Sequence, residues 1–192
     1  PQEIVDTRES VGCPDGFIMY SGTLEPRKNI DTLLTAWEGL RQSRPDTPPL
    51  ILTGPYGWRS IKLLRRIESL AGQGLHYLGR VPRTRLVSLM QAASIFVYPS
   101  LYEGFGLPVA EAMACGIPTV ASDRSSLPEV VGDAGLLFDP GKPDELANSI
   151  ARLLDDTSLK TELGNRGWRR AQGFRWDESA RLMEQLFLRA LD

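Results

Sequence analysis

Apolar residues along this chain follow two alternating rhythms. Short unbroken runs recur at Phe17-Ile18-Met19-Tyr20, Leu50-Ile51-Leu52, Leu75 to Leu78, Ile95-Phe96-Val97-Tyr98, Ile117 to Ala121 and Gly135 to Phe138. Runs of this length without polar alternation read as strands buried on both faces. Between them the spacing turns helical. Ile30, Leu33, Leu34, Trp37 and Leu40 share one face, with Asn29 placed as the cap. Ile61, Leu64, Ile67 and Leu70 line a second inward face ending near Gly72, and Leu86 to Ala92 forms a third helix. A short helix from about Leu107 to Cys115 is closed by Gly116, and a turn of helix spans Leu127 to Val131. Three helices close the chain, at Asp144 to Leu154, Leu159 to Arg170 and Asp177 to Leu191. Pro45 to Pro49 and Gly54-Pro55-Tyr56-Gly57 punctuate the early elements.

Six short apolar strands alternating with helices predict βαβ units: an α/β, Rossmann-like, doubly wound parallel sheet of about six strands. Ligands of such sheets bind beyond the carboxyl ends of the strands, where the strand order reverses. The polar, unpatterned residues 1–15 read as a linker, 16–175 as the sheet domain, and 176–192 as an appended closing helix.

Composition narrows the chemistry. A length of 192 residues with 42% hydrophobic and 24% charged residues is ordinary for one globular domain. The formal net charge of −2 argues against a nucleic-acid partner. Cys13 and Cys115 lie far apart, and Cys115 sits in an apolar run that suits a reduced thiol. His76 is the single histidine and falls on an expected buried strand, which removes His-pair zinc sites and speaks against a Ser/His/Asp apparatus. No run of about 20 apolar residues and no signal-peptide pattern is present, so a cytoplasmic location is expected. The chain opens at Pro1, as an excised domain or truncated product would.

Three strand-to-helix loops carry candidate chemistry. Gly22-Thr23-Leu24-Glu25-Pro26-Arg27-Lys28-Asn29 sets Arg27 and Lys28 near a helix N-terminus, a place suited to an anion; the bland alternative is a solvated turn. In Tyr102-Glu103-Gly104-Phe105-Gly106-Leu107-Pro108-Val109-Ala110-Glu111, glycines let the backbone approach a ligand, and Pro108 fits a first helical turn. The amides around Gly106 and Leu107 then face outward at the positive end of a helix dipole. Glu103 precedes that helix and Glu111 lies in about its first turn; the alternatives are a surface charge for Glu103 and a dipole-favouring carboxylate for Glu111. The third loop, Leu78-Gly79-Arg80-Val81-Pro82, could read the edge of a planar base through its backbone or be a common turn.

Seven residues separate Glu103 from Glu111, inside Tyr102 to Pro108 and Glu111-Ala112-Met113-Ala114-Cys115-Gly116-Ile117-Pro118. This segment resembles the signature of the large retaining glycosyltransferase family 4, and the likeness runs from about Phe17 to the final helix. The resemblance implies the C-terminal, nucleotide-sugar-binding half of a GT-B fold. It implies that Glu111 bonds the ribose hydroxyls and Glu103 the transferred sugar. The amides of Gly104, Phe105, Gly106 and Leu107 would hold sugar hydroxyls and the diphosphate, and Lys28 would match the family's phosphate-binding lysine. Arg80 and Val81 would flank the base, while Gly22, Thr23 and Gly54 would lie along the donor. Many members carry arginine directly after the glycine that ends the first strand. Thr23 stands there instead, leaving the diphosphate to Lys28 with Arg27. On this reading Glu103, Lys28 and Arg27 are the catalytic candidates.

The Gly-Thr-Leu-Glu-Pro-Arg-Lys-Asn form resembles mannosyltransferase-like members, which favours a GDP-sugar, mannose above all, with a UDP-sugar as the alternative. No cofactor and no metal are expected. The acceptor, a glycan or lipid-linked glycan, and any membrane contact would belong to an N-terminal half toward which the closing helix crosses; the isolated domain would bind donor without transfer. Two other readings stay open: a non-catalytic nucleotide-sugar-binding module, and a GT-B phosphorylase or epimerase relative.

Overall fold

The computed structural model describes residues 2–191, arranged on both faces of a parallel sheet. Its strands are β1 (Ile18–Ser21), β2 (Leu50–Thr53), β3 (Leu75–Tyr77), β4 (Ile95–Tyr98), β5 (Thr119–Ser122) and β6 (Leu136–Phe138). They lie in the order β3-β2-β1-β4-β5-β6, every neighbouring pair parallel. All residues of β1, β2, β4 and β5 are buried. Helices on both sides leave these strands no solvent face, so their sequence runs apolar without alternation.

The helices are α1 (Gln2–Ser10), α2 (Ile30–Ser43), α3 (Ile61–Leu70), α4 (Arg83–Ala92), α5 (Leu107–Ala114), α6 (Leu127–Val131), α7 (Pro143–Asp155), α8 (Thr157–Ala171) and α9 (Trp176–Leu191). Leu33, Leu34 and Trp37 of α2 are wholly removed from water. Each such side chain contributes roughly 1.5–3 kcal/mol to folding. The Trp37 indole donates to the Pro48 carbonyl at 3.0 Å, so its polar edge is satisfied within the core. Helix α8 packs on α5, and a Cβ on Gly164 would lie 2.4 Å from the carbonyl oxygen of Gly116, just past the end of α5. This contact fixes α5, the helix that carries the central loop.

The predicted sheet is present, and the chain departs from its sequence pattern at several places, among them β6, where Leu136 is half-buried and Leu137 exposed. Residues 1–15, read as a linker, contain α1, which packs on α4 and is tied to it when Arg8 Nε donates to the Ala92 carbonyl. No residue of α1 is buried, so it carries no apolar stripe for periodicity to detect. Ile61, read as inward, is exposed, and Leu64 is only half-buried; the buried stripe of α3 is Leu63, Ile67 and Leu70. Asn29 stands at the start of α2 in the left-handed region, φ 54°, and makes no side-chain cap. Its amide instead donates to the Pro99 and Pro140 carbonyls, linking distant loops. His76 lies on the edge strand β3 and is only half-buried.

Along α9, residues 176–190 are exposed, including Trp176, Met183, Leu186 and Phe187. Pro1 of the expected linker and Asp192 of the expected closing segment lie outside the described residues. Among the described residues no helix is long and apolar enough to cross a membrane.

Candidate functional site

The strand order reverses between β1 and β4, and the loops leaving those two strands meet. The Leu101 N–H donates to the Arg27 carbonyl at 2.8 Å, and Ser100 Oγ lies 3.2 Å from the same oxygen. Backbone pairing brings in the loops after β2 and β3 as well. Gly22 N donates to Thr53 O, and Gly54 N to Gly79 O. Gly54 has φ 130°, and a Cβ there would lie 2.0 Å from the Gly22 carbonyl oxygen. Only glycine permits that approach.

At the centre of the crevice sits a carboxylate with several partners, most of them on one oxygen. Glu103 Oε1 accepts from Lys28 Nζ at 2.6 Å, from Ser100 Oγ at 2.6 Å and from the Tyr98 hydroxyl at 3.1 Å. Lys28 Nζ also donates to the Tyr98 oxygen at 2.7 Å, closing a triangle. Arg27 Nη1 lies 3.1 Å from Glu103 Oε2, while its Nη2 pairs with Glu25 Oε1 at 2.8 Å. Lys28 and Glu103 are both buried and Arg27 is half-exposed. Burial alone would push the Glu103 carboxyl up. Hydrogen bonds from Lys28 and Ser100, the Lys28 charge and the Arg27 bond outweigh it and hold the group below its ordinary value. Burial, and then the neighbouring Glu103 charge, drive the Tyr98 phenol far upward, so it stays protonated and donates.

Immediately beyond Glu103 the chain turns through Gly104-Phe105-Gly106 into α5. Gly106 caps that helix in the left-handed region, φ 101°, and no side chain of the described residues makes a cap hydrogen bond there. The N–H groups of Gly104, Phe105, Gly106 and Leu107 donate to no described residue. Open amides at a helix N-terminus are an anion-binding arrangement.

Glu111 lies a turn into α5, half-exposed, and its nearest charged partner is the exposed Arg83 at 3.7 Å. It lines a cavity of about 590 Å³ together with Arg83, Phe105, Leu107, Phe174 and Trp176. Glu103, Lys28 and Arg27 are not part of that lining. The loops therefore bring Arg27, Lys28 and Glu103 into contact, and Gly22 and Gly54 together, while Glu111 forms no bond to this cluster. Thr23 offers its carbonyl to the Tyr20 hydroxyl at 3.3 Å. Arg80 is exposed and Val81 half-buried, next to Gly79 with φ 63°.

Sequence reasoning passed over Tyr98, Ser100, Glu25 and Arg83. Tyr98 ends β4 and reads as core, and Ser100 reads as loop. Their placement at the carboxyl end of the central strand was the available signal.

A family model described as Glycosyl transferases group 1 matches residues 8–170. The chain is 47% identical over 163 residues to O-antigen chain mannosyltransferase B of Escherichia coli, covering 84% of this chain and 43% of that protein. It is 32% identical over 193 aligned positions to the serotype-specific mannosyltransferase WbdA of Escherichia coli, covering 99% of this chain and 24% of that protein. The chain thus spans less than half the length of these curated relatives. Among solved structures, sucrose-phosphate synthase from Thermosynechococcus elongatus superposes with a TM-score of 0.79 at 32% identity, covering 97% of this chain and 48% of the other. Anabaena HepE in complex with UDP and glucose gives a TM-score of 0.79 at 26% identity, over 90% of this chain and 48% of the other.

Proposed function

The chain belongs to the glycosyl transferases group 1 family, and from that premise we propose that it holds the sugar nucleotide, GDP-mannose in the first instance, for a retaining glycosyl transfer. The observation that carries the reading is the pairing, at the reversal of strand order, of the Lys28–Glu103–Arg27 cluster with the open amides of Gly104 to Leu107. Cations beside helix-terminal amides match the diphosphate. As the sugar leaves, negative charge develops on that diphosphate, and groups already fixed in place stabilise it without reorganising.

Glu103 Oε1 has three donors of its own, so Oε2 is the oxygen left for a sugar hydroxyl. Glu111, half-exposed on the cavity wall, is suited to the ribose hydroxyls, and the turn at Arg80 and Val81 to the base. Thr23 and the Gly22–Gly54 contact would border the donor. Mannose is favoured because two curated relatives are named mannosyltransferases. UDP remains the second candidate, since HepE was solved with it.

In this reading the glycan or lipid-linked acceptor is held by a second, facing domain, and the exposed apolar face of α9 is where that domain packs. The isolated chain then binds donor and transfers no sugar. The test is calorimetric titration with GDP-mannose, UDP-glucose, GDP and UDP, with and without EDTA. Binding of a diphosphate nucleotide that survives EDTA is expected, because the described residues include no cluster of three metal-ligating side chains. Failure of all four ligands to bind removes the proposal.

A further inference from the structure

Two hydroxyls on the loop after β5 reach across to the loop that opens α5. Ser125 Oγ donates to the Glu103 carbonyl at 2.5 Å and accepts from the Glu103 N–H at 3.3 Å, closing a ring on one residue's backbone. Ser126 Oγ lies 3.0 Å from the Glu103 carbonyl and 2.9 Å from that of Phe105, so its single proton serves the two oxygens in turn. Ser126 also occupies the N-cap position of α6, yet makes no side-chain bond to that helix. A serine there normally spends its hydroxyl on the helix end; here it is spent on the neighbouring loop.

Ser125 adds a second, independent mark. Its φ is 57°, in the left-handed region that residues with a Cβ avoid. Such a residue persists only where its surroundings over-determine it. The conformation is the one that aims its hydroxyl at both polar atoms of the Glu103 backbone. A third serine, Ser122, donates to the Ser100 carbonyl, and Ser100 in turn donates to Glu103 Oε1.

We propose that Ser125 and Ser126 are positioning residues of the donor site. They fix the backbone from Glu103 to Phe105, and so hold the amides of Gly104 to Leu107 set for sugar and diphosphate before any ligand binds. The inference rests on the donor-binding reading and adds to it the part that preorganises the loop. A loop already ordered pays less of its conformational entropy on binding.

The decisive variant is Ser125→Gly. Glycine adopts the left-handed φ without strain, so this variant keeps or raises the melting temperature while deleting the hydroxyl. Its GDP-mannose affinity should fall by about fivefold or more. In the unliganded chain, NMR order parameters of the backbone at Gly104 to Gly106 should fall from a rigid value of about 0.85 toward 0.6. Ser126→Ala should act likewise, and Ser126→Thr, which keeps a hydroxyl, should restore both readouts. If Ser125 serves only the fold, the glycine variant matches the parent in affinity and order parameters, and the proposal is overturned. Failure of the donor-binding reading looks different: the parent itself binds neither GDP-mannose nor UDP-glucose. The order parameters still decide the clamp in that case, since unchanged values for both serine variants overturn it and lowered values support it.

Discussion

Lys28 Nζ lies 2.6 Å from Glu103 Oε1, so one buried ion pair ties the loop after β1 to the loop after β4. The pair spans the point where strand order reverses, and Tyr98 at the end of β4 touches both members. Arg27 on Oε2 and Glu25 on Arg27 complete a chain of alternating charge. The unliganded crevice is therefore electrostatically balanced, and its cations are already committed to a carboxylate. Any anion that enters competes with Glu103 for Lys28 and Arg27.

Breaking this pair from one side should cost more than removing it. Lys28→Met leaves Glu103 buried without its main counter-charge, and about 3 kcal/mol of stability is expected to be lost. That is a fall of roughly 6–12 °C in melting temperature for a chain of this size. Lys28→Met/Glu103→Gln should recover at least half of the loss. Urea denaturation of the parent, both single variants and the double closes the cycle. Simple additivity of the two single losses would show that the residues do not act as a pair.

The pair also sets a pH dependence. The Glu103 carboxyl is held below the ordinary glutamate value in the folded chain. A depressed folded value means that its contribution is complete above about 4.5 and is lost as pH falls through the folded value. Other carboxylates titrate in the same range, so the difference between the parent and Lys28→Met/Glu103→Gln isolates this one. That difference should stay constant from pH 7 to about 5 and shrink below 4.5. A gap that remains unchanged down to about pH 3 would contradict the assignment.

The fold was written plainly in the sequence, because strands buried on both faces leave unbroken apolar runs. Ile95 to Tyr98 and Leu127 to Val131 fall where the pattern set them. The structure unites Arg27, Lys28 and Glu103, which lie in the loops after β1 and β4. What escaped depended on distant partners. Helix α1 gains its place from Arg8 reaching Ala92, a contact across 84 positions that leaves no local period. Ser126 sits before a helix and so reads as a cap, whereas its true partners are the Glu103 and Phe105 carbonyls. Ile61 fitted the same helical period as its neighbours, but α3 turns Leu63, Ile67 and Leu70 inward instead.

The ion pair changes what a single substitution at Glu103 should do. Glu103→Gln removes a negative charge that holds Lys28 and Arg27, so GDP should bind as well as to the parent or up to about tenfold tighter, a gain of about 1.4 kcal/mol. GDP-mannose should weaken by tenfold or more if Oε2 accepts a sugar hydroxyl, since a charged hydrogen bond contributes about 1.5–3 kcal/mol. Opposite signs for the two ligands, read by calorimetry, are the expected result. Equal losses for both would remove Glu103 from the sugar.

Glu111 should behave in the reverse way. Among the described residues its one ion pair is with the exposed Arg83 at 3.7 Å, a contact worth little to the fold. Glu111→Gln should therefore leave the melting temperature within about 1–2 °C of the parent. If the carboxylate accepts from the ribose, GDP and GDP-mannose should both weaken by roughly tenfold to a hundredfold. Unchanged affinity for both would leave Glu111 as a surface carboxylate.

Two glycines of the same loop separate folding from binding. A Cβ on Gly106 would lie 2.6 Å from Leu127 Cδ2, at a φ of 101°. Gly106→Ala must therefore strain the backbone and displace a buried leucine, and it should lower stability by about 1–3 kcal/mol. Gly104 is the opposite case, because a Cβ there meets nothing within 4 Å and its φ lies outside the left-handed range. Gly104→Ala should fold with the stability of the parent, or slightly more, because alanine narrows the unfolded ensemble. The fold gives no reason for glycine at this position. Close approach of a ligand to the Gly104 and Phe105 amides gives one, since a methyl group would stand over them. Gly104→Ala should then bind GDP-mannose at least about tenfold more weakly while its melting temperature holds. Stability and affinity that both match the parent would mean that no ligand lies against this turn. The open amides at the head of α5 would then need another explanation.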